Sequence, residues 1–357
     1  MLPKHSSVLL VALNLGLALL VHSAPAPGSP HDSDRAAYDY VGHYPFAPNC
    51  GWSIYCYRVL VPAALEHVPF DGDRRWRGLQ ILGTAAAGTV LALMTFKELG
   101  GLRAAVFVTV VTQTSYGFAF TAYDPYTPDP FVFAVAAAIA WCWMANRWWI
   151  TWILGTVGVF AKETIALISA SCVVASFARV RPNRYAWVVS GMAVGISLIG
   201  FHIVMDTCCG WTMSNNPAAQ FAHGSWLALW WRNNPSLVRK MYWLFAPFGF
   251  AWAFALRGLQ TADRRLCDLT LGSILPILAL CYVQTPERAL SNAFFVVAPL
   301  AGVFLARVPR SVSTLAVVFN GMLTVKLGSS SPWLPPSRFT LVPAALCAAW
   351  ALWAHEK

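Results

Sequence analysis

The sequence predicts an all-α polytopic membrane protein with about 10 to 12 transmembrane helices. Hydrophobic residues occupy 57% of its 357 positions and charged ones 11%, with a mean hydropathy of +0.55. A soluble domain carries roughly 25% charged residues, so that class is excluded. Apolar runs of near-spanning length follow one another, each bounded by Gly, Pro or charge. The charges that remain gather between those runs, as the cost of placing them in hydrocarbon demands.

In order, the predicted spans lie near 7–23, 78–96, 103–121, 131–146, 148–161, 163–178, 185–205, 241–257, 267–283, 291–306, 313–328 and 338–354. The first has two readings. Lys4, the apolar stretch from Val8 to Val21 and then His22-Ser23-Ala24-Pro25 have the layout of a secretory signal peptide. The nearly spanning length and a proline straight after Ala24 favour a retained signal anchor over residues 1–24. Either reading places the next segment on the exported side. Residues 25–77 then form a first exterior loop, and 78–357 a multi-span domain carrying a second exterior loop at 206–240. His31 to Tyr40 reads as an acidic, loop-like stretch. Ile54 to Val68 mixes aromatic and aliphatic residues with Arg58, Glu66 and His67, and reads as one amphipathic helix at the interface.

The net charge of +10 is mostly a topology signal and not a nucleic-acid footprint, so no nucleic-acid partner is implied. With the amino terminus inside, about half of the 25 Lys and Arg fall on the cytoplasmic side, among them Arg103, Arg147, Arg184, Arg264, Arg265, Arg307 and Arg310. Most of the others lie in the two long exterior segments, where the positive-inside rule carries little weight. Arg74, Arg75 and Arg77 beside the second span count against this orientation. Most of the 15 acids fall outside, which puts any carboxylate chemistry on the exported face.

Lys162-Glu163 interrupts an apolar run from Trp148 to Ala178. A charged side chain at mid-bilayer costs roughly 2.5–3.5 kcal/mol on insertion scales. The topology lowers that cost by splitting the run into two short helices that meet at the exterior face, with the pair at the outer boundary. A structural ion pair locking two helices is one reading; a ligand site is the other.

Cys50, Cys56, Cys208 and Cys209 lie in the exterior segments, where an oxidising compartment permits disulfides. Cys50 with Cys56, or a bridge between the two segments, are the pairings favoured. Cys142, Cys172, Cys267, Cys281 and Cys347 lie in or beside spans and behave as small hydrophobes. There is no CxxC pair or His-rich spacing to support zinc. Asp32/Asp34 and Asp71/Asp73 suggest a divalent metal only as weakly as Asp-x-Asp pairs in any loop do, so no metal ligand is assigned and divalent metal dependence stays open.

Four motifs share one side of this topology. They are the acidic, aromatic loop with Tyr57-Arg58-Val59-Leu60-Val61-Pro62; Thr127-Pro128-Asp129-Pro130 opening the fourth span; Gly158-Val159-Phe160-Ala161-Lys162-Glu163-Thr164; and Pro286-Glu287-Arg288 ahead of Phe295-Val296-Val297-Ala298-Pro299. Together and in this order they resemble the GT-C superfamily of polyprenyl-phosphate-sugar-dependent membrane glycosyltransferases, such as protein mannosyltransferases and aminoarabinose transferases. The resemblance implies a bacterial inner or plasma membrane enzyme acting at the exterior face. It further implies a polyprenyl-phosphate-linked sugar donor, a glycan, lipid or protein acceptor, and no required cofactor. The chain ends at Lys357 without a large exported carboxy-terminal domain, so acceptor recognition is expected from loops.

Such chemistry needs cations for the departing phosphate more than an acid, because the leaving group is already good. Lys162 and Arg288 are the donor-phosphate candidates, Arg gripping two oxygens and Lys acting as a point charge. The resemblance puts a general base shortly after the first span, and both Asp34, four residues before Tyr38, and Asp39 fit. Direct attack with one base inverts the anomeric carbon. Glu163, Asp129, Asp124, Arg58, Glu287 and Tyr38 are the orienting or substrate-binding candidates. Trp52, Tyr57, Tyr123, Tyr126, Trp211 and Trp226 are placed to stack on sugars, although interfacial anchoring is the commoner role.

A transporter or lipid flippase is the competing class, since it too expects an intramembrane charge pair. Against it, no second copy of the Lys-Glu span occurs in the other half, and the acids concentrate on one face. A lipid-linked glycan polymerase or ligase is the other alternative.

Overall fold

The computed structural model describes residues 4–25, 34–48, 50–51, 53–178, 183–210, 231–232, 236–283 and 285–355. Among these residues the regular structure is helical throughout. After α1 (Lys4–His22), the segment that leads to the next long helix holds α2 (Arg35–His43), a 3₁₀ turn at Ser53–Tyr57 and α3 (Leu60–Glu66). Then come α4 (Gly72–Thr95), a π turn at Phe96–Gly100, α5 (Gly101–Gln113), α6 (Tyr116–Tyr123), α7 (Asp129–Met144) and α8 (Trp148–Gly158). The middle holds α9 (Thr164–Ala178), α10 (Arg184–Cys209), α11 (Leu237–Phe245), α12 (Ala251–Leu259) and α13 (Arg264–Val283). The chain closes with α14 (Pro286–Ser291), α15 (Phe294–Leu305), α16 (Arg310–Ser329) and α17 (Ser337–Ala354).

Among the described residues, five helical stretches are long and apolar enough to cross a membrane: His5–His22, Gly72–Gln113, Arg184–Cys209, Arg310–Ser329 and Ser337–Ala354. The second is two antiparallel helices, α4 and α5, reversed at Gly101, whose φ of 77° suits a residue without Cβ. Asp129–Met144, Thr164–Phe177 and Phe294–Leu305 are shorter apolar helices. In α15 every residue is buried, which fits a sequence apolar on all sides and makes it the central post of the bundle. It packs on α12 and α5, while α9 packs on α13 and α4 on α7.

The first helix is fastened by polar contacts as well as by packing. Asn14 is fully buried, and its amide donates to Leu10 O at 2.8 Å and Thr109 Oγ1 at 3.0 Å. Gln113 Nε2 donates in turn to Asn14 Oδ1 at 3.0 Å and Thr84 O at 2.9 Å. These bonds join α1, α4 and α5, and in hydrocarbon such interhelical hydrogen bonds average about 0.6 kcal/mol each.

Five sequence expectations need correction. The stretch read as loop-like holds α2, because Tyr38 and Val41 bury one face and Arg35–Asp39 makes an i,i+4 pair on the other. The single amphipathic helix over 54–68 is two pieces. Leu60 N donates to Phe160 O at 3.1 Å and Arg58 reaches across to Glu163, and these contacts interrupt it. The span near 103–121 breaks at Thr114–Ser115, and Tyr116 N donates to Pro247 O at 3.1 Å. The span near 241–257 breaks between α11 and α12, where Pro247 lies and Gly249 takes a φ of 56°. The second span also starts earlier than expected, at Gly72, capped by Asp71, which accepts from Arg74 N at 2.8 Å.

Of the two disulfide pairings, the structure has Cys50–Cys56, with a Cα–Cα distance of 6.1 Å, while Cys208 and Cys209 are free thiols. Most of the segment expected to form a second exterior loop, including Trp211 and Trp226, lies outside the described residues, as do Asp32 and Trp52.

Close backbone approach at Gly258 gives a test of the α12–α15 contact. A Cβ there would lie 2.2 Å from Leu300 O. Gly258→Ala is expected to cost about 1–3 kcal/mol through overpacking, read as a lower thermal midpoint in detergent. Gly195→Ala, with nothing within 4 Å of its Cβ, is the neutral control.

Candidate active site

At one end of the bundle the turn between α8 and α9 brings Lys162 inward. Gly158 permits that turn: a Cβ there would lie 2.9 Å from Ile165 Cγ2, and Lys162 N donates to Gly158 O at 3.1 Å. Lys162 is 5% exposed, and its ammonium forms an ion pair with Asp129 Oδ1. Asp129 is the first residue of α7, where the helix N-terminus favours a carboxylate and Pro130 needs no N–H partner. Its other oxygen, Oδ2, faces Arg288 Nη2 of α14 at 3.5 Å. Two cations therefore share one carboxylate. Arg288 also lies over the Phe120 ring, 5.0 Å from its centroid.

These three charges line a small cavity walled by Tyr116, Phe120 and Phe133, with Ser291 and Asn292 beside them. Gly117 keeps the wall thin: a Cβ there would lie 2.7 Å from Ser291 Cβ. Sequence reasoning missed this wall, because its residues look like ordinary span content.

A second ion pair stands next to the first. Arg58 grips Glu163 with two bonds, Nε to Oε2 at 3.1 Å and Nη2 to Oε1 at 2.6 Å, and its Nη1 donates to Tyr38 OH at 3.2 Å. Burial opposes the Arg58 charge, but the Glu163 carboxylate and Tyr38 more than offset it and hold the guanidinium well above its ordinary pKa. Tyr38 itself is buried and meets Tyr55 edge-on at 5.1 Å. Lys162 and Glu163, adjacent in sequence, thus take different partners.

The two base candidates separate. Asp34 occupies the N-cap position of α2 without capping it through its side chain. Instead it accepts from Tyr55 OH at 2.8 Å. Burial and the Asp34 carboxylate push the Tyr55 hydroxyl up to about 12, so it remains a donor at neutral pH. Asp34 and Asp124 both lie within electrostatic range of Arg288. Asp124 is buried at the end of α6. Asp39 points elsewhere: its side chain is 41% exposed and faces Arg35 at 3.6 Å.

The remaining candidates fall around this centre. Glu287 lies on α14 within range of Tyr116 and Cys281, with its buried Oε2 making no hydrogen bond. Tyr57 is buried and stacked on His202 at 4.0 Å, hydrogen-bonded to Asp206, and is committed to packing. Tyr126 is likewise buried and donates to Asp73 at 2.9 Å. Among the described residues, no group of three or more His, Cys, Asp or Glu is arranged to hold a metal ion.

Neither a family model nor a curated protein matches this sequence. The architecture nonetheless has a solved counterpart: helical throughout the described residues, with apolar helices long enough to span a membrane, the fold is similar to that of ArnT from Cupriavidus metallidurans. The crystal structure of ArnT bound to undecaprenyl phosphate aligns with a TM-score of 0.61 and 13% identity over 98% of this chain and 76% of ArnT. Its apo structure aligns with a TM-score of 0.59 and 13% identity over 98% and 75%.

The Arg58–Glu163 pair predicts a large single-mutant effect. Arg58→Ala leaves a largely buried carboxylate unpaired, with an expected cost of about 3–5 kcal/mol. Arg58→Met combined with Glu163→Gln is expected to recover most of the thermal midpoint in detergent.

Proposed function

We propose that this protein is an integral-membrane glycosyltransferase that moves a sugar from a polyprenyl-phosphate donor to an acceptor at the exported face, with inversion. One observation carries the reading: Lys162 and Arg288 share the single carboxylate of Asp129 at the cavity. Two cations thus meet at one carboxylate beside the space, an arrangement that suits the negative charge of a sugar phosphodiester.

In this reading Asp34 is the general base. It accepts the proton of the acceptor hydroxyl as the acceptor oxygen bonds to the anomeric carbon. The bond from that carbon to the phosphate oxygen breaks, its electrons leave with polyprenyl phosphate, and Lys162 and Arg288 stabilise the developing charge. Asp129 holds both cations in place, and Glu163 holds Arg58 and, through it, Tyr38. The step balances without a cofactor. The orientation draws support from the opposite end of the bundle, where Arg103, Arg265 and Arg307 hydrogen-bond to backbone carbonyls of Val308, Met144 and Thr261. ArnT, with undecaprenyl phosphate bound in one of its structures, is the model for the donor lipid.

The experiment is sugar transfer from polyprenyl-phosphate donors in proteoliposomes. Asp34→Asn is expected to lower kcat by about 10²–10⁴, and Arg288→Ala to weaken donor binding more than acceptor use. Asp39→Asn is expected to stay within about tenfold of wild type, since no proton is assigned to it. Full activity of Asp34→Asn would overturn the base assignment. Donor movement across the bilayer with no covalent change would replace the transferase with a transporter.

A further inference from the structure

The residue after the proposed base sits in a network that the reaction does not use. Arg35 is the first residue of α2, and its Nη2 meets Asp73 Oδ1, in the first turn of α4, at 2.7 Å. Its Nε faces Asp39 Oδ2, one turn along α2, at 3.6 Å. Its guanidinium carbon lies 5.1 Å from the centre of the Tyr126 ring, and Tyr126 OH donates to the same Asp73 oxygen at 2.9 Å. Arg35, Asp73 and Tyr126 therefore close a triangle between α2, α4 and the segment joining α6 to α7.

Each corner adjoins a part of the site. Arg35 is bonded through the backbone to Asp34, and Tyr126 lies between Asp124 and Asp129 in a connection only a few residues long. Tyr38 N donates to Asp34 O at 3.1 Å, so Asp34 moves with the first turn of α2. That helix has nine residues and buries Ala37, Tyr38, Val41 and Gly42. Burial of one face limits rotation of α2, its later residues are held against α3, and Arg35 fastens its start. Arg35 provides the only charged contact among the described residues from the start of α2 to α4, and it stacks on the segment that carries Asp129.

We propose that Arg35 is a positioning residue that fixes the distance between the Asp34 carboxylate and the Lys162–Asp129–Arg288 centre. Asp39 and Asp73 orient Arg35, so Asp39 acts on the reaction through Arg35 and accepts no proton from the acceptor. The pairs are exposed, the Arg35 and Asp73 side chains being 44% and 60% accessible, so their contribution to stability is small. Their consequence is geometric: misplacing a catalytic group by about 1 Å costs on the order of 10² in rate.

This inference rests on Asp34 being the base, and the test separates the two. Transfer is measured for wild type, Arg35→Ala, Arg35→Lys, Asp34→Ala and the double variant, together with binding of polyprenyl phosphate alone and the thermal midpoint. Arg35→Ala is expected to lower kcat by roughly 10- to 100-fold while polyprenyl-phosphate affinity stays within twofold. Arg35→Lys is expected to recover part of that loss by keeping the contact to Asp73. The double variant is expected to be no slower than Asp34→Ala, because positioning has no effect once the carboxylate is gone. Wild-type kcat in Arg35→Ala, or additive losses in the double variant, would overturn the positioning role. Loss of phosphate binding and thermal midpoint in step with kcat would mark Arg35 as merely structural and overturn it as well. Full transfer by Asp34→Ala would instead remove the base assignment, whatever Arg35→Ala does.

Discussion

The Asp129 carboxylate is the constraint on which the site end of the molecule depends. A buried lysine and a buried carboxylate are each costly alone, and each becomes tolerable only with a partner at contact distance. Lys162 lies in the α8–α9 turn and Arg288 on α14, and both are satisfied by the first residue of α7. Three segments distant in sequence are thereby drawn to one point. The helix N-terminus adds its partial positive charge behind the same carboxylate, which stabilises it further. Because Asp129 has two oxygens and gives one to each cation, both cations are held at the cavity by a single side chain.

The segment between α1 and α4 is attached to that point through the next residue in the chain. Glu163 comes directly after Lys162 but faces Arg58, which also donates to Tyr38. The loop is thus held by a bidentate ion pair, by the Leu60–Phe160 backbone bond and by the Cys50–Cys56 ring that immediately precedes Tyr57 and Arg58. At the other end of the bundle charge is used differently. Arg265 donates to Met144 O at 2.6 Å and pairs with Asp263 at 3.0 Å, closing the ends of helices instead of facing a cavity.

Much of the helical frame was legible because apolar length is a local property of the sequence. Each expected span has a helix within a few residues of it; of the two that break, the one near 247 does so at a local Pro and Gly, and the one near 115 also through a non-local contact. At Thr114–Ser115 both hydroxyls bond back to carbonyls of the preceding turn, and Tyr116 N is taken by Pro247 O, far along the chain. No window around residue 115 contains that partner. The missed α2 has the same origin, since a stripe of Tyr38 and Val41 amid Asp, Arg and His is too short to stand out from a polar loop.

The site was legible as a set of residue types and illegible as a set of pairs. Adjacency suggested that Lys162 and Glu163 compensate each other, but successive residues of a turn project in different directions, and each found a partner elsewhere. Asp34 and Asp39 differ in the same way. Five positions apart on or beside one helix, they lie about 140° out of phase at 3.6 residues per turn, so only one of them can face Arg288. Which one does is decided by the buried face of α2: Tyr38 and Val41 turn inward and carry Asp34 toward Tyr55, which leaves Asp39 outside with Arg35. Lys162 lies in a turn and Arg288 on a six-residue helix, both tied to the first residue of α7, whereas Asp34 sits at the start of the nine-residue α2. The placement of Asp34 relative to that centre therefore depends on the buried face of α2 together with a few side-chain bonds across the loop.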